Sequence, residues 1–424
     1  MARRIIFHVD ANSAFLSWTA AYRVKVLGEA LDLRDVPSVI AGDKASRHSI
    51  ILAKSAPAKK YGIQTGEPLF QALEKCPDLI VAPPDYELYV EASRHFVEML
   101  HQFSPQVEQY SIDEAWVDMT GTQRIYGDPR LAAEQIRERI WNELGFTVNV
   151  GISTNKLLAK MAGDLEKPNK VHTLYPEEME TKMWPLPVRD LFLVGAATEQ
   201  KLKAFGIYTI GDLAKADVSV IRKRLGKHGE TIWHFANGRN AEMVTPEAAE
   251  NKGYGNSITT VKDVASREEA HRVLLSLCET VAMRMRKDGQ YGSCIAIHLR
   301  TCDFRHYSHQ RLLSNATNIT TIIFEEACKA FDEGWDGQPV RQLGVQVTRL
   351  AKESYQQYDF LSGISPVQYE KKLRLDETVD SLRDKFGEEI IVRAKFSKDT
   401  ESHMAGGLSK ARRTGVTKPV PDEF

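Results

Sequence analysis

The first apolar run of the chain ends on a carboxylate. Residues Ile5–Asp10 are β-prone and apolar apart from His8 and Asp10, so they read as a buried strand. An aspartate there is costly unless it is paired or binds a cation. His8 and Asp10 share one strand face with Ile6, because side chains alternate. A second acidic pair, Asp113-Glu114, falls between two short strand candidates, Val107–Ser111 and Ala115–Met119, which predicts a hairpin. Along a regular strand two neighbours point to opposite faces, whereas at a turn they can converge. Three carboxylates close together repel one another unless a hard divalent cation lies between them, and magnesium accepts such oxygen ligands together with phosphates. By pattern alone an ordinary solvated turn pair is the commoner reading of Asp113-Glu114.

The rest of the chain organises around these points. At 424 residues it exceeds what one core holds, so at least two domains are expected. The first 170 residues mix short apolar strands with amphipathic helices at Ala14–Val26, Tyr86–Phe103, Leu131–Leu144 and Thr154–Leu165. Short helices around Gly195 and Gly206 follow, then a polar stretch that reads as a linker. Two strand–helix–strand units come next: Ser257–Val261, Glu268–Arg286, Ser293–Arg300, and Tyr307–Leu313, Ile319–Phe331, Val340–Arg349. They predict a small α+β domain with helices on one sheet face. The remaining residues are too polar for a domain; they hold one amphipathic helix near Leu373–Phe386 and an end expected to be disordered.

Charge and cysteine usage narrow the setting. The net charge is −1, so any nucleic-acid contact rests on local placement. Between Leu186 and Asn240 nine Lys/Arg stand against five Asp/Glu, densest around Lys227. From Asn251 to Leu350 the excess is only 13 against 11, leaving Arg300, Arg305 and Arg311, with His306 and His309, as individual candidates for contact with a nucleic-acid backbone. Five scattered cysteines without a C-x-x-C pair argue for reduced, packed thiols. No signal peptide or membrane span is legible, which predicts a cytoplasmic protein.

The motifs point further. Tyr110-Ser111-Ile112-Asp113-Glu114-Ala115 resembles the catalytic hairpin of Y-family translesion DNA polymerases, with the flanks of its UmuC-type branch. His8-Val9-Asp10-Ala11-Asn12-Ser13-Ala14-Phe15 is similar to the family's amino-terminal metal motif, and Gly151–Lys160, continuing to Lys167-Pro168-Asn169, to its third block. The resemblance implies an α+β, multidomain right-hand polymerase. Its palm would take residues 1–25 and 82–170, its fingers 26–81, a helix-hairpin-helix thumb 171–240, a linker 241–256, a βαβ-repeat little finger 257–350 and a tail 351–424.

It also implies roles. Asp10, Asp113 and Glu114, with the carbonyl of Ala11, would hold two Mg2+ ions, and Lys160 would meet the incoming triphosphate. Phe15 would be the steric gate against a ribose 2′-hydroxyl; on its own it reads as core, as Lys160 reads as a surface charge. The fingers segment has Ala56 and Lys59 where many relatives have Tyr and Arg, so nucleotide grip departs from the common form, and Pro57 is a further departure. Val194-Gly195-Ala196-Ala197 resembles the thumb hairpin that touches DNA phosphates, with Ala197 in place of the second glycine. Gln357, Tyr358, Phe360 and Leu361 resemble a sliding-clamp peptide. Expected partners are primer-template DNA, dNTP, the clamp and a mutagenesis accessory protein, with the chain a monomer. A catalytically silent scaffold of the same family is the alternative; the retained carboxylates speak against it.

Overall fold

The computed structural model describes residues 3–42, 49–247, 250–353, 366–396 and 403–404. They form two compact units, one reaching to residue 247 and one beginning at residue 250. In chain order the first unit carries strands β1 (Ile6–Ala11), β2 (Ser38–Ala41), β3 (Ile51–Lys54), β4 (Ile80–Ala82), β5 (Val107–Gln109), β6 (Glu114–Asp118), β7 (Val148–Ser153) and β8 (Val171–Thr173).

Strand β1 is the centre of a five-stranded sheet of order β5-β6-β1-β7-β8. It is antiparallel to both neighbours, β6 and β7, and Phe7 and Val9 are fully buried in the core beneath. The predicted hairpin forms: β5 pairs antiparallel with β6, Gln109 opposite Ala115. The helix Lys156–Asp164 lies directly on β7, and Gly151 is the reason it can. A Cβ at Gly151 would stand 2.0 Å from the Ala159 carbonyl oxygen, so any larger residue forces the helix off the sheet. The helix Tyr86–His101 is started by Asp85, whose carboxylate accepts the Leu88 amide, and it seals the same core with Tyr89 and Phe96.

The fingers form a three-stranded sheet, β3-β2-β4, over their own small core of Val39, Ile51, Ile63 and Leu69. Their helix Ala56–Lys60 is capped by Ser55, and Pro57 sits in its first turn. There the missing N–H costs nothing and the fixed φ suits the helix, which accounts for Pro57. The thumb helices Ala196–Lys203, Ile210–Lys215 and Val218–Ala236 gather around Leu202, Ile210, Leu213 and Ile232. The last of them is broken at Gly226, whose φ is 66°, a conformation glycine adopts without steric cost.

The stretch read as a linker divides. Its first part is pinned to the palm: Val244 is buried with Ile6, Trp116 and Ala159, and the Thr245 amide donates to Glu108 at 2.8 Å. Its last residues, Gly253–Asn256, are already strand. The second unit is built from β9 (Gly253–Val264), the helix Arg267–Lys287, β10 (Tyr291–Thr301), β11 (His306–Thr317), the helix Thr320–Gly334 and β12 (Val340–Ala351). Its sheet has the order β11-β10-β12-β9, antiparallel throughout. Both helices cover one face, as the repeated strand–helix–strand order predicts.

The tail helix runs from Pro366 to Phe386 and belongs to the second unit rather than standing apart from it. Ion pairs hold it. Arg286 of the covering helix reaches Asp380 at 2.6 Å and Asp376 at 3.2 Å. Glu279 receives Arg383 at 2.7 Å and also Arg393. Burial alone would raise the Glu279 carboxyl, yet the two guanidinium groups hold it below the ordinary carboxylate range. Pairs this dry matter mainly through the cost of breaking them, about 3–5 kcal/mol when one partner is removed.

Candidate active site

The register of the palm sheet builds the site. Asp10 lies directly opposite Glu114 across β1 and β6, and His8 opposite Trp116. All four side chains therefore share one sheet face. At the end of the strand the Ala11 amide donates to the Asp113 carbonyl at 3.0 Å, which ties the hairpin turn to β1. The Asp113 carboxylate accepts from Ser111 Oγ at 2.7 Å. Burial pushes both the Asp10 and Asp113 carboxyls above their ordinary range.

Glu114 behaves differently. Burial works to raise it, but the His8 and Lys160 contacts hold it at about 2. His8 is itself fully buried, and burial lowers its pKa. The neutral imidazole then donates from Nε2 to Glu114 Oε2 at 2.9 Å. Lys160 Nζ bonds the same carboxylate oxygen and lies 5.5 Å from the ring centres of both Tyr110 and Phe192. The latter ring belongs to the thumb core.

Lys167 is the residue that sequence reasoning left out of the site. Its Nζ bonds Asp10 Oδ2 and lies 2.8 Å from Asp164. The quoted motif Lys167-Pro168-Asn169 was the available signal. The same loop is anchored beside the strand end, since the Asn169 amide donates to Asn12 Oδ1 at 2.9 Å. Asn12 in turn donates to Asn149. A second set of neighbours, Lys156 and Glu108, makes a 2.7 Å pair behind the hairpin.

A divalent cation suits this donor set. The oxygens are hard and anionic, and two of the three carboxyls carry a desolvation cost that their present partners do not fully offset. Among the described residues no three such side chains are gathered as a ligand set as they stand; Lys160 and Lys167 hold Glu114 and Asp10 instead.

The other singled-out residues fall as follows. Phe15 opens the helix Ala14–Lys25, half-buried, with its ring stacked on Tyr89 at 4.3 Å and edge-on to Tyr86. Thr19 Oγ1 donates to the Phe15 carbonyl at 2.8 Å and bonds the Tyr89 hydroxyl at 3.1 Å, which ties the Tyr89 ring to the helix that carries Phe15. Ala56 and Lys59 are exposed on the fingers helix. Gly195 precedes the helix Ala196–Lys203 with ordinary φ, and a Cβ there would meet nothing in the protein. The interior of the protein does not demand a glycine at that position. Ala197 and Lys227 are exposed. On the second unit, Arg300 stacks over Phe304 at 4.5 Å and lines an open cleft with His298, His306 and Gln342. Arg305 is engaged by Asp303 at 2.7 Å. Gln357, Tyr358, Phe360 and Leu361 lie outside the described residues. The five cysteines are free, and all but Cys302 are buried. Among the described residues no helix is long and apolar enough to cross a membrane.

A carboxylate-bearing palm sheet, a small fingers sheet and a helical thumb define a polymerase of the right-hand class. The sequence matches the impB/mucB/samB family over residues 9–164, its carboxy-terminal domain over 251–360 and its helix-hairpin-helix motif over 176–207. It is 46% identical over 391 residues to the DNA polymerase IV of Clostridium acetobutylicum, covering 92% of this chain and 98% of that one. It is 34% identical over 406 residues to the DNA polymerase IV of Clostridium kluyveri, covering 94% and 100%. The fold matches a solved Y-family DNA polymerase chimera, Dbh-Dpo4(243-245)-Dbh, with a TM-score of 0.69 at 20% identity, over 82% of this chain and all of that one. The chain belongs to this family, the Y-family DNA polymerases, and is a DNA-directed DNA polymerase.

Proposed function

We propose that the chain performs error-prone, template-directed synthesis past damaged bases during DNA repair in the cytoplasm, by two-metal-ion phosphoryl transfer. The observation that carries this reading is the register pairing of Asp10 with Glu114, with Asp113 tied to Ala11 at the same strand end. Asp10, Asp113, Glu114 and the Ala11 carbonyl would hold two Mg2+ ions. The chemistry such ions would supply there is activation of a 3′-hydroxyl and neutralisation of the leaving pyrophosphate. The ammonium groups of Lys160 and Lys167, paired with the carboxylates in this structure, would then be free to face triphosphate oxygens, where a fixed cation favours developing negative charge. Lys59 adds a point charge from the fingers but no bidentate fork, and Ala56 beside it leaves room at the nucleotide.

Phe15 would exclude the ribose 2′-hydroxyl. Gly195 and Ala197 would bring backbone N–H groups to a DNA phosphate at a helix start, and Lys227, Arg300 and Arg305 would add backbone contacts that position the duplex without reading its sequence. Gln357, Tyr358, Phe360 and Leu361 would bind a sliding clamp by a peptide-in-pocket mode, and an accessory mutagenesis protein is a further expected partner.

Primer extension across a template abasic site tests the translesion reading. With Mg2+ and all four dNTPs, the chain is expected to insert opposite the site and continue beyond it. Efficient synthesis on intact template that halts one nucleotide before every abasic site would leave an ordinary polymerase.

A further inference from the structure

The tail helix buries charged side chains against the body and leaves part of an apolar stripe exposed beside them. Asp376, Asp380 and Arg383, spaced i, i+4, i+7, are the positions turned to the body and held there by Arg286 and Glu279. Leu375, Val379, Leu382 and Phe386 follow the same spacing one residue earlier, extended by a further turn. That spacing places four apolar side chains in a single stripe along the helix. Leu375 is 59% and Phe386 58% exposed, while Val379 and Leu382 are half-buried. A stripe at this spacing is the form in which one helix receives another.

Its two margins differ. On one side lies the body, where Lys372 meets Glu325 at 3.7 Å. The other, outward margin carries Lys371, Arg374, Thr378, Ser381 and Lys385, all exposed and none acidic. Glu370, Glu377 and Asp384 lie around the helix beyond that row, and Glu370 pairs with Arg374 at 2.5 Å, so Lys371 and Lys385 carry the charge of the margin. Two copies meeting antiparallel through this stripe would set basic margin against basic margin and body against body. Like charges so placed disfavour self-pairing, and acidic ones favour docking.

We propose that the stripe Leu375–Val379–Leu382–Phe386 is a docking site for an amphipathic helix of another protein, one whose apolar face is flanked by glutamate or aspartate. The site belongs to the second unit, whereas the residues assigned to nucleotide addition belong to the first, and it does not depend on their assignment.

The test uses the full chain and two synthetic helical peptides with the same leucine stripe, one flanked by glutamate and one by lysine. Fluorescence anisotropy is expected to show the glutamate peptide binding at least ten-fold more tightly than the lysine peptide. Leu375→Ser/Phe386→Ser should weaken the glutamate peptide at least ten-fold, with melting temperature and primer extension unchanged because both residues are exposed. Lys371→Glu/Lys385→Glu should reverse the preference between peptides. Equal affinity for the two peptides, or glutamate-peptide binding untouched by the serine pair, overturns the proposal. So does concentration-dependent self-association, seen by sedimentation and lost in the serine pair, which would assign the stripe to a second copy.

Discussion

Glu114→Gln is expected to slow nucleotide addition by on the order of 10³-fold, the scale at which a fixed electrostatic contributor to a transition state is lost, while leaving primer-template affinity within a few-fold of wild type. The substitution keeps the side chain's shape and its bond from His8 Nε2 but removes the charge. In the structure that charge is held far into the ionised range, at about 2, by His8 and Lys160 against the opposing pull of burial. A carboxylate so strongly kept anionic at the end of a sheet is prepared for a cation. Single-turnover extension measured beside DNA-binding titration separates the outcomes. A rate within ten-fold of wild type would remove Glu114 from the chemistry, and an equal loss of DNA affinity would make it a folding residue.

The second large effect concerns sugar choice. Phe15→Ala is expected to raise ribonucleotide incorporation relative to deoxynucleotide by on the order of 10²-fold, the scale on which a pocket distinguishes one hydroxyl. The aromatic ring is braced rather than free: Tyr89 stacks on it at 4.3 Å and Tyr86 meets it edge-on. A braced ring cannot turn aside for an extra oxygen. Competition between matched ribo- and deoxynucleotides on one template measures the ratio. An unchanged ratio with normal deoxynucleotide addition would place Phe15 in the core alone, as a ring beside a buried strand reads without the motif.

The hairpin and the strand before it were legible because burial and charge conflict there in the sequence itself. An aspartate closing Ile5–Asp10 and an acidic pair between two strands both announce themselves. The strand–helix–strand order likewise predicted the second unit, though its strands extend several residues beyond the apolar runs. In β11 exposed and half-buried side chains alternate along nearly its whole length, so polarity hid its ends. Lys167 was missed as a site residue because a lysine after a helix reads as a solvated charge; only the folded loop carries it to Asp10.

The tail helix was legible, but the face it buries was not, for a related reason. Asp376, Asp380 and Arg383 have the spacing of a buried face but the chemistry of a surface, and their ion-pair partners, Arg286 and Glu279, come from a helix far earlier in the chain. Pairing between distant charges leaves no periodic trace in one sequence. Gly151 shows the opposite case. Its need to be glycine is absolute in the structure, where the Ala159 carbonyl leaves no space for a Cβ, yet in the sequence it is one glycine among 27.

The most direct measurement is primer extension on an undamaged template with Mg2+, run with the wild-type chain and Asp113→Ala at equal occupancy of the same primer-template. The account predicts that the wild type adds the complementary deoxynucleotide and that Asp113→Ala binds the DNA but adds nothing measurable. Extension by both proteins would contradict the assignment of this hairpin, and binding without extension by the wild type would favour a silent scaffold of the family.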